Sequence, residues 1–118
     1  MARFPELTTP LPVSEQTIAG AAALGFQKQP CPLCSSHSAA ARGIDGQEAS
    51  WWICSTCQRF SLTTPAQSTL RRMHDTRHPR YGRHRTGLSR FCARSNKPVV
   101  IDEQNMQQVG DAGLLLDL

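Results

Sequence analysis

The sequence predicts a small α+β fold: a three-stranded antiparallel sheet flanked by short helices, with an Arg-rich extension toward the C-terminus. Three features carry that expectation. Two Cys-x-x-Cys pairs, Cys31/Cys34 and Cys54/Cys57, stand 19 residues apart. An Asp45-Gly46 pair lies between them, amid runs able to form strands. Helix-start signals stand on both sides, Ser14 before the pairs and Thr64-Pro65 after them.

The elements follow in chain order. Residues 1–13 contain Pro5, Pro10 and Pro12 and read as an extended arm. Ser14 is a good N-cap, Glu15 suits the first turn, and Val13 and Ile18 are spaced as a hydrophobic staple. Gly25 can end the helix in a left-handed conformation, so a helix is expected over 15–24, weakened by Gly20. Its apolar side (Ile18, Ala21, Ala22, Leu24) is small and needs a neighbour. Asp45-Gly46 favours a two-residue hairpin turn with positive φ at both positions, joining strands over 39–44 and 47–53. A third strand over 59–63 alternates, with Phe60 and Leu62 on one face. Thr64 as N-cap, Pro65 at the first helical position and Gln67 beyond it start a second helix, expected to run to about residue 73. Pro79 disfavours helix past residue 78. Residues 79–98 show little apolar pattern and read as loop or extended chain, 99–101 as a short strand, and 113–118 as a docking segment. The chain thus divides into an arm and short helix (1–27), the cysteine-bearing sheet (28–63), a helix with a basic Arg/His-rich segment (64–98), and a short strand with an acidic tail (99–118).

Composition limits what holds this together. The chain has 118 residues, of which Leu, Ile, Val and Phe together supply 23. That is close to the roughly one-fifth level below which a chain struggles to fold by burial, so a large oily core is excluded. The longest weakly apolar run, 19–26, is far short of the ~20 residues a bilayer span needs. Arg3, Pro5 and Glu6 are followed by no apolar stretch, so no secretory signal is expected. The expected location is cytoplasmic, with no membrane partner. Five cysteines, four of them in matched pairs, read in a reducing compartment as metal ligands and not as disulfides.

Cys31, Cys34, Cys54 and Cys57 can surround one ion as a tetrahedron of thiolates, with Zn–S distances of about 2.3 Å. One structural Zn²⁺ is the expected cofactor. Its apparent binding energy, roughly 10 kcal/mol or more, rivals the whole stability of a small domain. A closed four-sulfur shell leaves no position for water or substrate, so the ion would be structural. Four thiolates and one zinc carry a net charge of −2, which Arg59 is placed to offset. Rubredoxin-like iron is the main competing metal. Two redox dithiols or four separate buried cysteines would have to explain away the matched pairs.

Cys31-Pro32-Leu33-Cys34, the Asp45-Gly46 turn, Trp52 two positions before Cys54, and Cys57-Gln58-Arg59-Phe60 together resemble a zinc ribbon. The resemblance covers residues 28–63, about a third of the chain. It implies contact with nucleic acid or protein far more often than catalysis. Ribbons commonly place Gly directly after the second Cys of each pair, where the backbone turns left-handed. Ser35 and Gln58 stand there in this chain, and side chains at such positions carry strain or require a different turn.

Charge is partitioned. Residues 1–70 balance, and residues 98–118 hold four acidic groups and no basic one. Residues 71–97 hold eight arginines and Lys97 against Asp75 alone. Arginine forks suit phosphate, so the expected partner is nucleic acid or another polyanion. The candidate contacts are Arg71, Arg72, Arg77, Arg80, Tyr81, Arg83, Arg85 and Arg90. The expected function is non-catalytic binding of nucleic acid or a nucleoprotein complex, with no small-molecule substrate. The alternative is a small phage or mobile-element module that docks on a host protein and regulates a nucleoprotein machine. Tyr81 suits either base stacking or packing. Trp51 and Trp52, adjacent in a strand, point to opposite faces. A second metal site from His74, His78, His84 and Cys92 would need spacings that match no familiar pattern, and nothing assembles a catalytic triad.

Overall fold

A computed structural model describes residues 12–95 and 97–116. The arm read over 1–13 lies outside the described residues up to residue 11, as do Asp117 and Leu118. Helix α1 (Glu15–Ala21) opens as its sequence dictates. Ser14 Oγ accepts from Thr17 N, and Thr17 Oγ1 accepts from Ser14 N, closing a capping box. The helix ends through a 3₁₀ turn, Ala22–Leu24, on Gly25 at φ 90.

The sheet has five strands, not three: β1 (Gln27–Lys28), β2 (Ala39–Gly43), β3 (Ala49–Cys54), β4 (Gln58–Thr63) and β5 (Val99–Ile101), in that spatial order. The first three pairings are antiparallel and β4–β5 is parallel. A parallel pair requires a long crossover, and two helices fill it. The β2–β3 turn is looser than expected. Only Gly46 takes positive φ, at 74, and Ile44 N reaches Ala49 O across a four-residue loop.

Helix α2 (Thr64–Asp75) starts one residue earlier than its sequence suggests, with Thr63 as the N-cap accepting from Ala66 N. Most of the stretch read as loop over 79–98 is helix instead. Tyr81–Arg94 form α3, and a further helix, α4 (Met106–Leu115), begins before the stretch read as a docking segment and takes in its first three residues, 113–115. The two helices meet through glycines. A side-chain carbon built at Gly87 would run into the Gly110 carbonyl, and one at Gly113 into the Gly87 carbonyl. Close backbone approach replaces side-chain bulk there. Interior glycines cost each helix about 1 kcal/mol of propensity, so sequence pattern alone reads both as irregular.

Strand alternation gives the sheet two faces. Trp52, Cys54, Phe60, Leu62, Val99 and Ile101 point into the larger core, closed by Ala66 and Leu70 of α2, Leu88 and Cys92 of α3, and Met106 of α4. Trp52 and Phe60 lie parallel there, ring centroids 6.0 Å apart. On the other face, Ala40 and Ile53 meet Val13, Ile18, Ala21 and Phe26, with Trp51 half-buried at their margin. The staple pair Val13 and Ile18 thus anchors α1 to the sheet.

Candidate metal centre and basic surface

Each cysteine pair sits at a strand end. The first lies in the turn before β2. There Ser35 N donates to Cys31 O at 2.8 Å and Cys31 N to Ser36 O at 2.9 Å. The second pair spans the turn from β3 into β4, where Thr56 N points at Cys54 Sγ, 3.4 Å away. Ser55 N donates to Ser38 O at 3.0 Å and ties the second turn to the start of β2. Ser35 and Gln58 take φ values of 63 and 69. Both positions therefore adopt the left-handed turn that glycine usually supplies, despite carrying side chains.

The four sulfurs all lie within 4.8 Å of one another. Cys31 Sγ stands 3.8 Å from Cys57 Sγ, and Cys34 Sγ 3.5 Å from Cys54 Sγ. A tetrahedron with metal–sulfur bonds of about 2.3 Å has edges of about 3.8 Å. A disulfide needs about 2.05 Å, and all five cysteines are free. Cys31, Cys54 and Cys57 are buried and Cys34 is half-buried. The chemistry of the donor set fits a soft divalent ion such as Zn²⁺. Without a cation, four thiolates this close would repel one another. Hydrogen bonding with Cys34 pushes Cys31 up, and hydrogen bonding with Cys31 pushes Cys57 up. Hydrogen bonds centred on Cys31 pull Cys34 down and Cys54 down to about 7. A bound dication would hold all four as thiolates. The closed donor set suggests a structural site.

Charge compensation differs from the sequence expectation. Arg59 pairs in register with Ile53, so strand alternation turns it to the α1 face, away from the sulfurs. Burial lowers its pKa, and its Nε is buried without a partner among the described residues. The sulfurs instead meet neutral donors. Beyond Thr56 N–H, Ser89 of α3 places Oγ 3.0 Å from Cys57 Sγ. Ser89 is invisible to a motif reading. Its only signal is position on a helix face between Leu88 and Cys92, both fully buried. Cys92 belongs to the same core, and burial pushes its thiol up to about 12.

Among the described residues, the histidines do not assemble a second site. His74 and His78 are exposed, His84 is half-buried, and Cys92 lies in the core. No second group of three ligating side chains converges.

The arginines fall on one helical hairpin. Arg71 and Arg72 are exposed on α2, Arg77 in the turn, Arg80 at the start of α3 and Arg83 one turn in. Arg85, Arg90 and Tyr81 are half-buried. Tyr81 is engaged within the chain: the Arg85 guanidinium lies 5.2 Å from its ring centroid and donates to Tyr81 Oη at 3.0 Å. The His74 ring meets Tyr81 edge-on at 5.3 Å. A groove of about 850 Å³ between α2, α3 and α4 has Arg80 and Arg83 among its lining, with Glu103 and Asp111 opposing their charge. No described helix is long and apolar enough to cross a membrane.

No family model matches the chain, and neither a curated protein nor a solved structure matches it.

Proposed function

We propose that the chain is a non-catalytic zinc-ribbon protein of the cytoplasm. Residues 28–63 hold one structural Zn²⁺ through Cys31, Cys34, Cys54 and Cys57. Residues 64–98 bind nucleic acid, or a nucleoprotein complex, through their arginines. One observation carries the reading. Arg71, Arg72, Arg77, Arg80 and Arg83 are exposed on a single hairpin, and none forms an ion pair with a described carboxylate. Cations without an ion-pair partner among the described residues are available to phosphates. Arg85, Arg90 and Tyr81, being half-buried, would add contacts at the margin.

The test is a salt titration with labelled duplex and single-stranded DNA and RNA. Binding should weaken steeply with salt, because each neutralised phosphate releases counterions. Arg→Ala changes at Arg77, Arg80 and Arg83 should each reduce the logarithmic slope by about 1. No binding at low salt would overturn the reading. It would favour instead a phage or mobile-element module that docks on a host protein. The groove supports that second reading: opposite charges line it without forming an ion pair, which suits a protein partner better than a polyanion.

A further inference from the structure

Donors that reach a metal-bound sulfur from outside the ligand loops fix its orientation and spread its charge. Thr56 N–H does this from within its own turn. One donor comes from far away. Ser89 lies 32 residues beyond Cys57, in the middle of α3, with its Oγ 3.0 Å from Cys57 Sγ. The geometry is held from both sides. Cys57 is fully buried, and Leu88 and Cys92 press this stretch of α3 into the same core. A thiolate accepts and cannot donate, so in a metal-bound centre the hydroxyl is the donor.

We infer that Ser89 is a positioning residue of the metal centre. Its hydroxyl donates to the Cys57 thiolate, holds that sulfur in its ligating position, and fastens α3 to the ion-binding turns. The bond is charge-assisted, hence stronger than one between neutral groups. Its acceptor, Cys57, is fully buried, while Ser89 itself is half-buried. The bond also runs in the opposite direction: loss of the ion loosens the anchor of α3, the helix that carries Arg83, Arg85 and Arg90. The inference rests on metal occupancy of the four-thiol site and is independent of any nucleic-acid binding.

The experiment compares zinc-loaded wild type with Ser89→Ala, Ser89→Thr and Thr86→Ala. Thr86 is exposed on the same helix, and its hydroxyl donates to Gly82 O at 2.8 Å, away from the sulfurs. Zinc is withdrawn by a competing chromogenic chelator, and cobalt(II) is used in parallel to read the sulfur-to-metal charge-transfer band. Ser89→Ala should lower zinc affinity about 10-fold, shift the cobalt band and speed amide exchange across residues 81–94. Ser89→Thr keeps the hydroxyl and should restore all three toward wild type, and Thr86→Ala should leave affinity and band unchanged. Ser89→Ala with wild-type affinity and band would overturn the inference, as would an equal effect from Thr86→Ala. Wild-type protein that binds no metal would instead sink the metal reading itself.

Discussion

The Gln58 side chain bridges Val13 and the second cysteine turn. Its Oε1 accepts from Val13 N at 2.7 Å, and its Nε2 donates to Ser55 O at 3.0 Å. The residue that follows the last ligand thus anchors the entry to α1, 45 positions earlier in the chain. It does so from a left-handed backbone at φ 69, a conformation that costs a side-chain-bearing residue about 1 kcal/mol. Gln58 is kept there by what its amide holds.

Ser35 and Gln58 should therefore answer differently to glycine. Ser35 has φ 63 and an exposed side chain, so Ser35→Gly relieves the backbone and should stabilise by about 1 kcal/mol. Gln58→Gly gains the same relief but breaks two hydrogen bonds, each worth about 1 kcal/mol, and should be neutral or destabilising. Gln58→Ala keeps the strain and loses the bonds, and should be the worst of the three. Denaturant melts of the metal-loaded variants check the order.

Removing the ion should unfold more than the two turns. Three of the sulfurs lie inside the larger core, packed with Leu33, Trp52 and Phe60. Their release as charged or unpaired thiols breaks that core, and a structural zinc contributes roughly 10 kcal/mol. Purified protein should carry one zinc per chain by elemental analysis. A strong chelator should abolish its folded circular dichroism at neutral pH. Acidification should release the metal, because protons compete for the thiolates. A chain that stays folded without metal would contradict this.

The cysteine turns, strands β2 to β4 and the first two helices were legible because each carries a local signal: paired ligands, Asp45-Gly46, Ser14 and Pro65. The strand β5 was legible as Val99-Val100-Ile101, but its parallel place beside β4 was not, since nothing local says which edge it joins. Helices α3 and α4 escaped for one shared reason. Their contact is made by Gly87, Gly110 and Gly113, which lower helix propensity and leave only short apolar stripes, Leu88, Phe91 and Cys92 on α3 and Met106 and Val109 on α4. Arg59 was misplaced for a different reason. Proximity to Cys57 in sequence says nothing about face, and a single step along a strand reverses it.

The glycine contact makes a graded prediction. Gly87→Ala and Gly113→Ala each drive a carbon into a backbone carbonyl of the facing helix. Backbone cannot rotate away, so α3 and α4 must separate, at a cost of about 3 kcal/mol or more. Gly110→Ala meets the His84 ring, 2.8 Å from Nδ1. That side chain can turn, and the cost should stay near 1 kcal/mol. Gly20→Ala and Gly82→Ala meet nothing within 4 Å and should stabilise their helices by about 0.5–1 kcal/mol. A thermal melt of the five variants gives the ranking. Equal losses at Gly87 and Gly82 would mean the helices do not cross as described.

Arg77 allows stability and binding to be pulled apart. It closes α2 with φ 53, while His78 N donates to Met73 O at 2.8 Å and Arg77 N to His74 O at 3.1 Å. This is a Schellman cap, in which glycine is the favoured residue at the left-handed position. An exposed arginine stands there instead, so Arg77→Gly should raise stability by about 1 kcal/mol. If the hairpin binds phosphate, the same change should weaken binding and flatten the salt dependence by about one counterion. Arg77→Ala keeps the backbone cost and should match Arg77→Gly in binding without the gain in stability. Paired chemical-denaturation and salt-titration curves for the two variants separate the effects. If Arg77→Gly binds as tightly as wild type, Arg77 makes no phosphate contact, and the interface must centre on Arg71, Arg72, Arg80 and Arg83.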